Sequence, residues 1–222
     1  MNNYLVEFNL SDEALDKLHI YANNLIETNK KINLTSIVDL DEIYIKHFYD
    51  SLLLYKVNSN ITDLFDIGTG AGFPGVPYSI ANPKAKVYLN ESNTKKCSYL
   101  STLRQVLNLN NIYIINERAE LVKQTFNFVT SRAVAKINIL LELAIPRLNV
   151  GGIFYCLKGT NYIQELDEAK NAIDKLNVKI EKINKFVLPN NLGERYIIEF
   201  KKIKETPNKY PRRYSNIVKN PL

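Results

Sequence analysis

The chain has 222 residues, of which 45% are hydrophobic and 23% charged, with a formal net charge of +6. This length gives one or two domains, and the composition is that of a folded globular protein rather than a disordered one. No apolar run approaches the ~18 residues of a membrane span, and the start lacks a signal-peptide pattern. We therefore expect a cytoplasmic protein that neither is secreted nor crosses a membrane.

The positive charge is concentrated at the carboxyl end. Residues 201–222 contain seven basic side chains against Glu205 alone, so this segment accounts for the whole formal excess. A neutral body with a basic tail favours a polyanionic partner such as nucleic acid, although a solvated, mobile terminus has the same composition. The two cysteines and two histidines are far apart in the sequence, which predicts no metal site and no disulfide.

Two helices are predicted at the start of the chain. Ser11 can cap the first, because its hydroxyl can accept from a free amide of the first turn, and apolar residues then recur at helical spacing. A second helix is predicted from about Asp39, with His47 or Phe48 on its apolar stripe. The pattern of residues 1–58 thus predicts an N-terminal helical extension that packs on the rest of the protein.

From residue 61 onward, short β-rich runs alternate with helical patterns. Strands are predicted at 61–67, 86–90, 111–116, 126–132, 152–158, about 179–188 and 195–200. Helices are predicted near 75–81, 94–107, 134–147 and 161–176. This alternation predicts an α/β fold with a mostly parallel sheet and helices on both faces. A loop alone joins the last two strands, which therefore predict an antiparallel hairpin at the end of a 59–205 domain, before a 206–222 tail.

A glycine-rich turn follows the first predicted strand, at the edge where such sheets bind ligands. Gly68, Gly70 and Gly72 occupy alternate positions, which lets the backbone turn sharply and approach a ligand closely. The second strand ends at Glu91, 23 residues after Gly68, where a carboxylate can hydrogen-bond a ribose diol. Together these features predict a cofactor that contains a nucleoside.

The turn suits S-adenosylmethionine better than NAD. Its G-x-G-x-G spacing differs from the dinucleotide pattern, and Pro74 and Pro77 lack the N–H groups that would receive a pyrophosphate. Asp66, just before the glycines, would repel a phosphate and attract an ammonium. S-adenosylmethionine carries an ammonium and no phosphate, so it is the predicted cofactor.

Several motifs resemble one protein family. DIGTGAGFPGVP (66–77) is similar to the first motif of class I S-adenosylmethionine-dependent methyltransferases. Further blocks are similar, in order, to the bacterial 16S ribosomal RNA guanine-N7 methyltransferases, the glucose-inhibited division protein B family: NLTSI (33–37), IKHFYDSL (45–52), ESNTKKCSYL (91–100), ERAEL (117–121), TSRAVAKINIL (130–140), LKG (157–159), ERYIIEFKK (194–202) and KYPRRYSNIVKNPL (209–222). The resemblance implies a Rossmann-like class I methyltransferase fold with a seven-stranded sheet. Two positions differ from the family pattern. Glu91 stands where Asp is commoner, and YSNIV occupies a stretch of the tail where the family usually has another sequence.

Residue roles follow from this resemblance and from the residues themselves. The predicted cofactor-binding residues are Asp66, Gly68, Gly70, Gly72, Phe73, Glu91, Ala119, Glu120 and Arg132. The predicted RNA-binding residues are Lys46, His47, Lys158, Arg195, Lys209, Arg212, Arg213 and Lys219. His47 fits a packed core histidine equally well, and Arg132 also fits a salt bridge. We expect Arg132 to matter for turnover more than for stability.

The resemblance implies methyl transfer to guanine N7 in 16S ribosomal RNA or the small subunit, by a monomer that binds no DNA. N7 has a free lone pair, so no general base is required, and Arg132 and Lys158 are predicted only to position the reactants. Because N7 lies in the inaccessible major groove of A-form RNA, an unpaired or splayed guanine is expected.

Other functions remain open at this stage. They are methylation of another RNA or of a small molecule, a non-catalytic RNA-binding assembly factor, and, more remotely, an NAD-dependent oxidoreductase. The tail is distant in sequence from the glycine turn, so we expect its removal to spare cofactor binding.

Overall fold

The computed structural model describes residues 3–222, so the first two residues of the predicted helical extension lie outside the described range. Seven strands form one sheet in the order β3-β2-β1-β4-β5-β7-β6. The strands are β1 (Asp63–Ile67), β2 (Lys86–Asn90), β3 (Ile112–Ile115), β4 (Phe126–Arg132), β5 (Leu148–Lys158), β6 (Val178–Val187) and β7 (Glu194–Lys202). Strands β1 to β5 pair in parallel, whereas β7 is antiparallel to β5 and β6. The predicted mostly parallel sheet with an antiparallel C-terminal hairpin is confirmed.

The main difference in strand length concerns β5, which begins four residues before the predicted position 152. Its first part pairs Leu148 with Phe126, and the register shifts before the regular pairing of Ile153 with Phe128. Gly151 lies in this irregular part with φ of +86°. The two adjacent glycines, Gly151 and Gly152, allow an irregular stretch inside one long strand.

The α-helices are α1 (Asp12–Asn29), α2 (Leu40–Glu42), α3 (Asp50–Val57), α4 (Gly75–Ala81), α5 (Thr94–Val106), α6 (Ile137–Ala144), α7 (Tyr162–Glu168), α8 (Lys170–Lys175) and α9 (Tyr214–Lys219). Short 3₁₀ turns add residues 3–8, 145–147 and 189–191. Ser11 caps α1 by accepting from the Ala14 amide at 3.2 Å, and Asp39 caps α2 by accepting from the Glu42 amide at 2.9 Å. No helix within residues 3–222 is long and apolar enough to span a membrane.

Between α2 and α3 the chain forms a π-helix, Ile43–Tyr49. The three segments make one continuous helical stretch, as predicted from Asp39, but the middle is wound more widely. Apolar spacing does not distinguish i→i+4 from i→i+5 hydrogen bonding, so the sequence did not show this feature. π-Helical turns are rare and frequently occur at functional sites, and this one carries Lys46 and His47.

Two hydrophobic cores form on opposite faces of the sheet. Alternation along the strands divides the residues, so Leu64, Tyr155 and Ile197 face one core and Phe65 faces the other. The first core includes the N-terminal helices with α4 and α5, and the second includes α6 and Ile217 of α9. On the first face, α1 contacts the glycine turn, because the Tyr21 hydroxyl donates to the Ala71 carbonyl oxygen at 2.6 Å.

The basic tail packs against the second face instead of extending into solvent. Ile217 is fully buried, and Arg212 makes a bidentate ion pair with Glu142, which is 0% exposed. The backbone N–H of Arg212 also donates to Glu142 at 2.9 Å. A fully buried carboxylate needs a cationic partner, so Arg212 fixes the tail to α6. The interpretation of this segment as a mobile terminus is therefore wrong.

Candidate functional site

The candidate site lies where the strand order reverses. β1 has β2 on one side and β4 on the other, so the connections that leave these strands diverge and open a crevice at their carboxyl ends. Two cavities occupy this edge. They are neighbours along the chain, because Ala133 lines one cavity and Val134 lines the other. Ala133 has φ of +56°, an uncommon conformation for a residue with a side chain.

The glycine turn after β1 requires glycine for two different reasons. A Cβ at Gly72, where φ is +109°, would lie 2.7 Å from the Tyr21 hydroxyl oxygen, so packing forbids a side chain. Gly70, where φ is +60°, has only the Gly68 carbonyl oxygen near, at 3.9 Å. The space beside Gly70 is thus open, as a ligand that approaches the backbone requires.

The buried Asp66 stabilises this turn through two hydrogen bonds. Its Oδ2 accepts from the Thr69 hydroxyl at 2.6 Å and from the Gly75 amide at 2.9 Å. The residue is fully buried, and burial raises its pKa to about 7 although both hydrogen bonds act in the opposite direction. The other oxygen, Oδ1, is buried with no hydrogen-bond partner among the described residues. The contact with a ligand ammonium stays a prediction.

The first cavity, called here the Glu91 cavity, has a volume of about 150 Å³. It brings together Gly68, Glu91, Ala119 and Glu120, which sequence reasoning assigned to one cofactor site. Glu91 follows β2, and its Oε1 accepts from the Asn93 amide at 2.8 Å, which fixes the carboxylate. Tyr214 of α9 also lines this cavity, so the tail contributes to it, a contact that the sequence did not indicate.

Phe73 is part of an aromatic wall next to the turn and does not line the Glu91 cavity. Its ring stacks on Tyr21, with centroids 5.3 Å apart, and on His47, with centroids 4.5 Å apart. The guanidinium carbon of Arg132 lies 4.9 Å from the centroid of the same ring. Phe73 thus connects α1, the π-helix and β4, and its contact with the cofactor stays a prediction.

Arg132, the last residue of β4, connects the sheet to the π-helix. Its Nη1 donates to Asp50 Oδ2 at 2.9 Å and to the Lys46 carbonyl oxygen at 3.2 Å. The other oxygen of Asp50 pairs with Arg195 Nε at 3.2 Å. Arg132 is therefore held by a buried salt bridge, as one interpretation of the sequence had it, and its contact with cofactor or RNA stays a prediction although it lines a cavity. The partner, Asp50, was not predicted, because its long-range pairing leaves no local signal.

His47 is buried and makes two hydrogen bonds through its ring. A guanidinium can only donate, so Nδ1 accepts from Arg132 Nη2 at 3.2 Å. Nε2 must then carry the proton and donate to Thr35 Oγ1 at 2.8 Å. Burial, followed by the charge of Arg132, lowers the pKa of His47 to about 3. This geometry favours the packed core histidine that was one of the two predicted interpretations, although the ring still lines a cavity.

The second cavity, called here the Arg132 cavity, has a volume of about 410 Å³. It collects the predicted residues Lys46, His47, Arg132, Lys158 and Arg195 at one place. The lining also includes Asp50, Glu165 and Tyr196, which sequence reasoning missed.

Each of its four cations has a partner. Lys158 donates to Glu165 at 2.7 Å and to the Ala135 carbonyl oxygen at 2.6 Å, and Lys46 pairs with Glu42. Arg132 and Arg195 share Asp50. The lining has these four cations and two carboxylates, and because each cation already has a partner the cavity suits a polar ring better than a phosphate.

The predicted tail residues differ in availability. Arg213 is exposed and its side chain has no ion pair or hydrogen bond with the described residues. Lys209 and Lys219 are also exposed. Arg212 is paired with Glu142, and its predicted contact with RNA stays a prediction. None of these four residues lines either described cavity.

The fold is shared with solved methyltransferases. A methyltransferase from Pyrococcus furiosus superposes with a TM-score of 0.59 at 18% identity, covering 85% of this chain and 99% of that chain. The TYW2 of P. horikoshii, solved in complex with MeSAdo, gives 0.57 at 13% identity, covering 69% of this chain and 61% of the other. At identities this low, the similarity establishes the fold alone, which is that of Rossmann-like methyltransferases.

Sequence relatives narrow this class to one family. The model of the GidB family, described as rRNA small subunit methyltransferase G, matches residues 14–195. A relative of that name from Mycoplasma capricolum is 44% identical over 216 residues, covering 96% of this chain and 93% of its own. One from Lactococcus lactis is 42% identical over 229 residues, covering 98% and 96%. The chain belongs to the rRNA small subunit methyltransferase G family.

Proposed function

We propose that this protein transfers a methyl group from S-adenosylmethionine to N7 of a guanine in 16S ribosomal RNA. The observation that carries the proposal is the pair of cavities at this edge of the sheet, which are lined by the consecutive residues Ala133 and Val134. One is lined by Gly68 and Glu91, a glycine and a carboxylate expected around a nucleoside, and the other has the polar lining expected around a base. The family relationship supports ribosomal RNA as the substrate.

The residues around the glycine turn fit S-adenosylmethionine. The open space beside Gly70 allows a ligand to lie against the backbone, and Glu91 is placed for a ribose diol. Ala119 and Glu120 would line the adenine side, and the unpartnered Asp66 Oδ1 would favour the ammonium. The cofactor supplies a methyl group on a sulfonium, which needs no further activation by the protein.

The protein's part in the reaction is to place guanine N7 in line with that methyl group. The Arg132 cavity can hold a single splayed base, with the Tyr196 ring and paired carboxylates and cations around it. N7 attacks through a free lone pair and has no proton to lose, so orientation accounts for most of the acceleration. Arg132 and Lys158 are then positioning residues, as predicted.

The substrate would be naked 16S ribosomal RNA or the small subunit, in the cytoplasm, and the enzyme would act as a monomer without binding DNA. The exposed Arg213, Lys209 and Lys219 would contact phosphates outside the reacting base.

The test is to incubate the protein with S-adenosylmethionine that carries a labelled methyl group and with small subunits or 16S RNA lacking the modification. We expect one labelled guanine, which becomes cleavable by reduction and aniline treatment as N7-methylguanosine does. Label on another atom or another RNA would overturn the proposed specificity. Cofactor binding without any transfer to either RNA substrate would favour the assembly-factor alternative.

A further inference from the structure

A third cavity lies at the edge of the sheet opposite the glycine turn. It has a volume of about 410 Å³ and is found where β4 and β5 begin, at the paired residues Phe126 and Leu148. The end of β7 and the first part of the tail complete its wall. No residue that lines the Glu91 or Arg132 cavity lines this one.

Two buried cations line this cavity. Arg147 is 9% exposed, and its guanidinium has no ion pair or hydrogen bond with any residue that the structure describes. Lys202 is 3% exposed and donates to the Leu148 carbonyl oxygen at 2.7 Å. The nearest carboxylate is that of Glu205, 3.9 Å from the Lys202 nitrogen, and its side chain is 86% exposed. The cavity therefore has an excess of buried positive charge.

The remaining polar groups add donors to this site. The Thr206 hydroxyl oxygen is buried with no partner among the described residues, as is Nε of Arg147. Burial lowers the pKa of both Arg147 and Lys202, and the neighbouring charge of Arg147 acts on Lys202 in the same direction. An uncompensated charge inside a protein is costly. This arrangement is thus unfavourable by itself and complementary to an anion.

We propose that this cavity is an oxyanion site that binds a phosphate group, with Arg147 and Lys202 balancing its charge and the Thr206 hydroxyl donating to it. Guanidinium groups form strong, charge-assisted hydrogen bonds with phosphate oxygens. The group could be a phosphodiester of an RNA or free inorganic phosphate, since both present the same oxygens. Because the tail forms part of the wall, an occupied site would also fix the start of the tail.

The experiment uses the full chain and inorganic phosphate, compared with chloride at equal ionic strength. With phosphate at ten times its Kd, linkage predicts a rise in the Tm of the natural protein of about 3–6 °C for a chain of this size. Arg147→Met keeps the apolar stem and removes the guanidinium, so this rise should disappear. In chloride the variant should melt no lower than the natural protein, because a buried unpaired charge has been removed.

Lys204→Gln is the matched control, because it removes one exposed charge from the same segment without touching the cavity. It should keep the phosphate response, as any general effect of phosphate on surface hydration is equal in all variants. Thr206→Val is a second variant, which removes one donor only. Titration calorimetry should give a higher Kd for phosphate in this variant than in the natural protein. Equal responses in the natural protein, Arg147→Met and Lys204→Gln would overturn the proposal.

A competition arm separates the two sources of phosphate. A short RNA added to the phosphate-saturated protein should displace phosphate, as followed by ³¹P NMR, if the site serves RNA. Phosphate that stays bound while RNA binds elsewhere would assign the site to free phosphate. Absence of any phosphate binding to the natural protein would contradict both.

Discussion

At the scale of single residues, the Glu91 carboxylate gives the most direct test of cofactor binding. Glu91→Ala should weaken S-adenosylmethionine binding by about 1–3 kcal/mol, the usual effect of losing a charged hydrogen-bond partner. Glu91→Gln, which keeps the shape and one acceptor, should lose less. Titration calorimetry measures both, and circular dichroism checks the fold. An unchanged Kd in a folded Glu91→Ala protein would mean that the ribose lies elsewhere.

Asp66 predicts a pH dependence of cofactor binding. Burial raises its pKa to about 7, so below that pH the carboxyl is mostly protonated in the free protein. A ligand ammonium favours the ionised form, so binding then requires the release of a proton. Affinity should therefore rise as pH increases from about 5.5 to 7, by up to tenfold per unit, whereas the ligand's α-amino group, with a pKa of about 7.7–8.0, stays charged.

The measurement for Asp66 is calorimetry at pH 6 in buffers of different ionisation enthalpy, which counts released protons. The natural protein should release a proton on binding S-adenosylmethionine. Asp66→Asn, which keeps an acceptor for the Gly75 amide, should release none and bind with little dependence on pH. The same proton release in Asp66→Asn would show that another group is coupled to the ligand.

At the scale of secondary-structure elements, Arg132 joins β4 to the π-helix. Sequence reasoning predicted that Arg132→Ala would reduce turnover while sparing stability. The salt bridge with buried Asp50 and the bond to the Lys46 carbonyl change that expectation. Arg132→Ala should lower the free energy of unfolding by about 1–3 kcal/mol as well as lowering methylation, since Arg195 still balances Asp50. Urea unfolding measures the first effect.

The control for this prediction is Arg195→Ala, which removes the longer and more exposed of the two ion pairs with Asp50. It should affect stability less than Arg132→Ala. If Arg132→Ala unfolds in urea at the same midpoint as the natural protein, the contact between β4 and the π-helix contributes nothing to stability.

The elements that could be predicted are those with strong local signals. The strand β4 begins and ends at its predicted residues because alternation and flanking residues define it. The helix α4 also spans its predicted residues. The π-helix and α9 could not be predicted from such signals. The first has the same apolar spacing as an α-helix, and the second is a six-residue helix held by one buried residue, Ile217. Its stability comes from tertiary contact with α6, which local sequence does not encode.

The residues of the candidate site could likewise be predicted only where a local sequence signal exists. Gly68, Glu91 and Ala119 were predicted because a parallel sheet brings strand ends together, so their order along the chain implies their proximity. Pairings such as Asp50 with Arg132, or Glu142 with Arg212, join residues about 70 or more positions apart. A charged residue looks the same in sequence whether it is paired or free. The sequence therefore indicated which residues are charged and left open which of them can meet a ligand.

At the scale of the whole molecule, the tail carries exposed basic residues and also contributes to the wall of the Glu91 cavity. Tyr214 lines the Glu91 cavity, and the Arg118 guanidinium lies 5.2 Å from the centroid of its ring. Distance in sequence led to the expectation that loss of the tail spares cofactor binding. Because Tyr214 lines the cavity, we now expect loss of the tail to weaken cofactor binding. Deleting residues 207–222 removes one wall of the cavity, so truncation cannot separate an effect on RNA from one on the cofactor.

Single substitutions of the two adjacent arginines make that separation. Arg212→Ala leaves the fully buried Glu142 without its partner, so the free energy of unfolding should fall by about 3–5 kcal/mol. Replacing Glu142 and Arg212 together by Met should recover much of this, because apolar residues of similar volume replace a buried pair well. Arg213→Ala, at an exposed and unpaired side chain, should leave stability unchanged.

The same Arg213→Ala protein tests whether the tail contacts RNA. Each lost phosphate contact should lower the slope of log affinity against log salt by roughly 0.7–0.9, and the loss should be similar for RNAs of different sequence. Filter binding to 16S RNA at four salt concentrations gives this slope, and calorimetry should find S-adenosylmethionine binding intact, because Arg213 does not line the Glu91 cavity. An unchanged slope would exclude Arg213 as a phosphate contact. The phosphate contacts of the tail would then lie at its other exposed basic side chains, Lys209 and Lys219.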